Sequence, residues 1–120
     1  MNYSSKNGKV CYLELPSADA ASSADFYAKV FGWDIRKRDN GELSFDDGVE
    51  VSGMWVLGRP PAGADGIRIS IMVDDVQATL DAVVVHGGQV YTPVGEHPSE
   101  ITARFQDPYG NILSLYQEPK

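Results

Sequence analysis

Cysteine is almost missing from this sequence. Cys11 stands alone, so no intrachain disulfide can form and no thiolate cluster can hold a metal. Long apolar runs are missing too. No stretch approaches the roughly 18 residues of a membrane span, and the start, MNYSSKNGKV, lacks the apolar core of a secretory leader. A cytoplasmic protein is the expectation. Basic side chains are few, ten against seventeen acidic ones, for a formal net charge of −7. That balance opposes attachment to nucleic-acid backbones or anionic membranes. The single basic run, Arg36-Lys37-Arg38, is followed by Asp39. It suits an exposed edge strand, where like charges discourage edge-to-edge pairing. Nucleophile-elbow, P-loop and dinucleotide-binding patterns are absent.

What is present suits a folded protein able to bury a core: 120 residues, 42% apolar and 22% charged. Cys11, between Val10 and Tyr12, reads as a small buried hydrophobe in a strand from Val10 to Leu15. Pro16 to Asp19 supplies turn and N-cap chemistry, apolar residues recur at helical spacing from Ala20 to Phe31, and Gly32 suits a left-handed C-cap. Trp33 to Arg38 predicts a strand, Asn40-Gly41 a two-residue hairpin turn into Glu42 to Phe45, and Asp46-Asp47-Gly48 a turn into Val49 to Leu57. The segment GRPPAGADG, residues 58–66, reads as a linker.

After the linker the pattern restarts. Ile67 to Val73 predicts a strand, Asp74 or Asp75 an N-cap, and Val76, Leu80, Val83 and Val84 a helical stripe ended by Gly87-Gly88. The β-branched run Val83-Val84-Val85 argues against that helix. Gln89 to Thr92, Ile101 to Gln106 and Ile112 to Gln117 are strands, with a loop from Pro93 to Glu100. A shift of 56 residues lays Leu13 on Ile69, Leu15 on Ile71, Asp19 on Asp75 and Gly32 on Gly88. Each half is thus strand, helix and three strands, repeated in pattern rather than in letters. The expected class is α+β, with two βαβββ modules at about residues 9–57 and 67–117.

Alternation assigns the strand faces. Cys11, Leu13 and Leu15, and likewise Ile67, Ile69, Ile71 and Val73, suit packing on helices. The opposite faces carry Val10, Tyr12 and Glu14; Arg68, Ser70 and Met72; and Ile112, Ser114 and Tyr116. Such a face is either the wet side of an antiparallel sheet or the lining of a pocket. His86 ends the second helix, where it complements the helix dipole. His97, in the loop GEHPSE, is an exposed loop residue or, beside Glu96 or Glu100, an acid–base group at a pocket rim.

Three segments, PSADAASSADFYAKVFGW from Pro16, VDDVQATLDAVVVHGG from Val73 and ARFQDPYGNILSL from Ala103, resemble the vicinal oxygen chelate superfamily of glyoxalase I, bleomycin-resistance proteins and extradiol dioxygenases. The resemblance spans nearly the whole chain and implies paired modules curling around a shared cup lined by the polar strand faces. In metal-bearing members a histidine or carboxylate stands at four cup positions. Carried onto this chain, three of them fall on Tyr12, Arg68 and Ser114. The fourth lies on the strand Val49 to Leu57, at Glu50, Ser52 or Met54. Arginine cannot ligate a cation, and serine and tyrosine are weak ligands beside imidazole and carboxylate.

The resemblance therefore implies a cup without metal or other cofactor, binding a small organic ligand as drug-sequestering or glyoxalase-like resistance proteins do. The expected lining is Tyr12, Glu14, Trp55, Arg68, Ser70, Arg104, Ser114 and Tyr116, with no catalytic residue assigned. The alternative is a metal-dependent lyase, isomerase or dioxygenase whose ligands stand elsewhere. A metal-free enzyme using Tyr12, Glu14 or His97 is a third reading. A homodimer is expected, since each module has sheet edges to pair and Pro60-Pro61 favours an extended linker.

Overall fold

A computed structural model describes residues 7–95 and 97–118. The first module runs β1 (Tyr12–Pro16), α1 (Ala20–Phe31), β2 (Asp34–Lys37), β3 (Leu43–Asp46) and β4 (Ser52–Val56). The second runs β5 (Ser70–Met72), α2 (Val76–Val85), β6 (Gln89–Thr92), β7 (Ile101–Gln106) and β8 (Ile112–Gln117). Each makes a four-stranded mixed sheet of the same topology, β1-β4-β3-β2 and β5-β8-β7-β6, with no closed barrel. The first pair in each order is parallel and the rest antiparallel.

Local chemistry explains the helices. Asp19 accepts the Ser22 N–H and Asp75 the Ala78 N–H, each from an extended backbone, so both aspartates are N-caps. Gly32 closes α1 in the left-handed region, at φ 73°. At its counterpart the cap shifts by one residue: α2 is capped at His86, Gly87 takes the left-handed region at φ 100°, and the Gly88 N–H closes on the Val83 carbonyl at 2.8 Å. The helix survives its valine run because Val76, Leu80 and Val83 are buried, and burial outweighs the modest helix penalty of β-branched residues.

Several boundaries differ from the sequence expectation. β1 begins at Tyr12, so Cys11 precedes it and is exposed rather than buried. The β2–β3 turn spans three residues, closed by Arg38 N–H to the Glu42 carbonyl, with Gly41 at φ 90°. Residues 47–51 form a loop because the Asp47 carboxylate accepts the N–H groups of Val49, Glu50 and Val51. Burial raises the Asp47 pKa, but these amides and nearby Lys9 outweigh it and hold the carboxyl below its ordinary value. β5 is short, and Ile67 before it is 92% exposed.

One core joins the modules. Leu15, Phe45 and Trp55 of the first sheet belong to the same buried cluster as Phe105, Leu113 and Leu115 of the second. Tyr27, Trp33 and Phe45 stack in sequence at 4.9 and 4.5 Å between centroids, while Phe26 and Phe31 of α1 reach Phe105 at 6.2 and 5.6 Å. The helix-covered faces of both sheets therefore share one interior, and the opposite faces turn away from it.

The turn after β7 fastens this arrangement. Asp107 accepts the N–H groups of Tyr109 and Asn111, the Asn111 amide and, at 2.8 Å, the Tyr27 hydroxyl. Asn111 in turn donates to the Pro16 carbonyl at 2.7 Å and accepts the Ala62 N–H at 2.8 Å. One turn thus holds α1, the end of β1 and the linker.

Candidate functional site

Strand register fixes which side chains share the outward faces. Across the first sheet one row reads Tyr12, Ser52, Asp46, Asp34, and the next Glu14, Met54, Ser44, Arg36. Across the second, Ser70, Ser114, Arg104 and Thr92 form one row, and Met72, Tyr116 and Thr102 another. On β4, Met54 pairs with Glu14 as Ser114 pairs with Ser70 in the other module. Glu50 lies outside the strand.

A hollow of about 290 Å³ opens on the second sheet's outward face, lined among others by Arg68, Ser70, Thr102, Arg104, Ser114 and Tyr116. Five of the eight expected site residues therefore meet there. Tyr12 and Glu14 stand instead on the first sheet, each engaged: the Tyr12 hydroxyl accepts from Arg38 at 2.8 Å, and Glu14 pairs with Arg59 at 2.6 Å. Trp55 is a correction. It pairs with Leu15 on the helix-covered face, is 3% exposed and packs against Phe45 at 4.9 Å. Alternation from Ser52 and Met54 puts its indole in the core.

Inside the hollow Ser114 is 4% exposed, and its hydroxyl has no hydrogen-bond partner among the described residues. Beside it, Arg104 donates through Nη2 to the Ala64 carbonyl at 3.0 Å and lies 5.3 Å over the Tyr91 ring. Its Nε is buried and unpartnered. Tyr91 and the linker carbonyl escape sequence reasoning, because nothing local says that residues 64 and 91 meet at Arg104. His97 also lines the hollow. Its Nδ1 accepts the N–H groups of Ser99 and Glu100 at 3.2 and 2.9 Å, so the neutral ring carries its proton on Nε2, 4.0 Å from the Glu100 carboxylate. Neutral His97 has no free lone pair for general-base work. Glu96 lies outside the described residues, and His86 is exposed at the end of α2.

The donor set does not fit a metal. At the positions to which the resemblance assigns ligands, Tyr12, Arg68 and Ser114 offer a phenol, a guanidinium and a hydroxyl, and on β4 Met54 offers a thioether, in place of imidazoles and carboxylates. Among the described residues no group of three or more His, Cys, Asp or Glu is placed to hold an ion. A second, larger cleft of about 660 Å³ lies between the modules on the helix side, walled by Leu13, Phe31, Trp33, Phe45, Ile69 and Ile71. Of the carboxylates along it, Asp47 and Asp75 already cap backbone amides. It lacks the convergent polar groups that orient a ligand.

Comparison with known proteins agrees with this fold. The model of the Glyoxalase/Bleomycin resistance protein/Dioxygenase superfamily matches residues 9–115. A glyoxylase-like domain-containing protein of Didymella fabae is 29% identical, covering 94% of this chain and 96% of its own. A probable lactoylglutathione lyase of Vibrio parahaemolyticus is 29% identical, over 92% of this chain and 91% of its own. Among solved structures, TnmS3, an antibiotic binding protein from Streptomyces sp. CB03234, superposes with a TM-score of 0.70 at 27% identity, covering 93% of this chain and 97% of its own.

Proposed function

The chain belongs to the glyoxalase/bleomycin resistance protein/dioxygenase superfamily, and from that premise we propose that it binds a small organic molecule in the hollow of its second sheet, without a metal. One observation carries this reading: the positions where a metal centre needs lone-pair donors hold Arg68 and Ser114. A guanidinium is always protonated and repels a cation. The hollow's volume sits at the lower edge of the ~300–1,000 Å³ usual for such sites, and Tyr116 offers a ring to pack against. Likeness to an antibiotic binding protein supports a sequestering role.

The second reading, a metal-dependent lyase, is favoured by the likeness to a probable lactoylglutathione lyase. Metal analysis of protein purified without chelator separates the two. We expect transition metal far below one equivalent, and ligand binding indifferent to EDTA. One equivalent of nickel, zinc, iron or manganese, with activity lost to EDTA, would overturn the binding reading.

We also propose that the working unit is a homodimer. Among the described residues β1 and β5 each leave one edge unpaired, and Val10 and Ile67 before them and Met72 at the end of β5 are exposed. Setting β1 of one copy beside β5 of another covers both edges twice under two-fold symmetry. It also brings the Tyr12 and Glu14 face of one copy to the hollow of the other.

A further inference from the structure

We propose that the hollow is an oxyanion subsite: it recognises the carboxylate or phosphate of a small organic ligand through Arg104, Ser114 and Arg68. This rests on the ligand-binding reading above and adds the class of ligand. The first observation is the pair of unpartnered donors. The Ser114 hydroxyl and Arg104 Nε are both buried, both without a partner among the described residues, and cross-strand neighbours in register. Buried polar groups are costly when unpaired, and two adjacent orphans facing one hollow call for a shared acceptor.

The second observation is orientation. Arg104 is held at one end by the Ala64 carbonyl and stacked on Tyr91. Little side-chain freedom is left to lose on binding, and the planar donor matches an oxyanion.

The third is charge. Among the described residues neither Arg68 nor Arg104 forms an ion pair, and Glu100 is the one carboxylate lining the hollow. In a chain of net charge −7 this is a local surplus of positive charge. Glu100 works against an anion, but it is half exposed and lies by His97. Ser70, in register with Ser114, adds a further hydroxyl on the same row. Next to that row Tyr116, which also lines the hollow, supplies the apolar contact for the remainder of the ligand.

The test uses the full chain and four probes of one size: benzoate, phenyl phosphate, benzamide and benzylamine. Binding is measured by calorimetry and located by amide shifts in β7 and β8. We expect the two anions to bind and the amide and amine to bind at least about tenfold more weakly. Whichever anion is tighter tells carboxylate from phosphate. Ser114→Ala and Arg104→Gln should each weaken the anions about tenfold or more. Ser114→Ala should also leave thermal stability unchanged or raised, since it deletes a hydroxyl that has no partner in the folded protein. That combination is what a merely structural serine would not produce. Benzamide or benzylamine binding as well as benzoate would overturn the oxyanion subsite while leaving the ligand-binding reading intact. So would anion binding untouched by Ser114→Ala, or a Ser114→Ala variant that loses stability. If none of the four binds, the subsite is overturned. The broader reading falls only if a wide thermal-shift screen of small molecules also finds nothing.

Discussion

Tyr27 is fully buried, and its hydroxyl donates to the equally buried Asp107 at 2.8 Å. Burial first, then the Asp107 charge and the hydrogen bond to it, push the phenol well above its ordinary pKa. The folded chain thus keeps a proton that the unfolded chain releases near pH 10. Stability from this group is whole below that pH and is lost as pH climbs beyond it. Tyr27→Phe removes a hydrogen bond to a charged group and should cost about 1.5–3 kcal/mol at neutral pH by denaturant unfolding. Above pH 10 the gap between parent and variant should shrink. A constant gap would mean that the hydroxyl does not titrate with folding.

At the scale of the element, β4 shows how one small residue sets a packing distance. Gly53 lies opposite Leu13 and Phe45 in the register. A Cβ there would collide with the Leu13 carbonyl and the Phe45 ring. Backbone on one side and a core aromatic on the other leave no easy relief. Gly53→Ala should therefore cost about 2–3 kcal/mol or more, read by thermal or denaturant unfolding. Gly63, whose added Cβ would meet open space, is the control: its alanine variant should change stability by less than about 0.5 kcal/mol. The exposed basic run on β2 belongs to this scale as well. β2 is an outer strand of its sheet, where Arg36 and Lys37 are exposed.

For the whole molecule, the shared interior has a consequence. Because the helix-covered faces of both sheets share one core, the two polar faces look outward and the 290 Å³ hollow is lined by the second module alone. A second copy docking along β1 and β5 would bring a wall to each hollow. Light scattering at micromolar concentration should report twice the 13.1 kDa chain mass. A charge placed at the exposed apolar rim, Ile67→Glu, should shift the mass toward one chain and weaken ligand binding with it. A chain that is monomeric at micromolar concentration would overturn the dimer.

Much of this was legible before any fold was known. Periodicity and caps located both helices, since helical spacing and an aspartate N-cap act within a few residues. The repeat and the alternation of faces placed Arg68, Ser70, Ser114 and Tyr116 on one side of a sheet, and segment resemblance identified the superfamily. Where contacts are long-range, local pattern failed. Cys11 is exposed because β1 starts two residues later than expected, at Tyr12, on an open sheet edge. Trp55 belongs to the core because pairing with Leu15 ties its face to that of β1. Whether Asp107 and Asn111 were turn formers or a buried lock depended on Tyr27 and Pro16, 80 and 95 residues away in sequence. The sequence by itself determined the two helices, the repeated order of elements and most of the strand faces, because these follow from residue type and near-neighbour spacing. Only the tertiary structure decided which donors stand unpartnered together, since Ser114 and Arg104 meet through strand register and a linker carbonyl that no local pattern encodes.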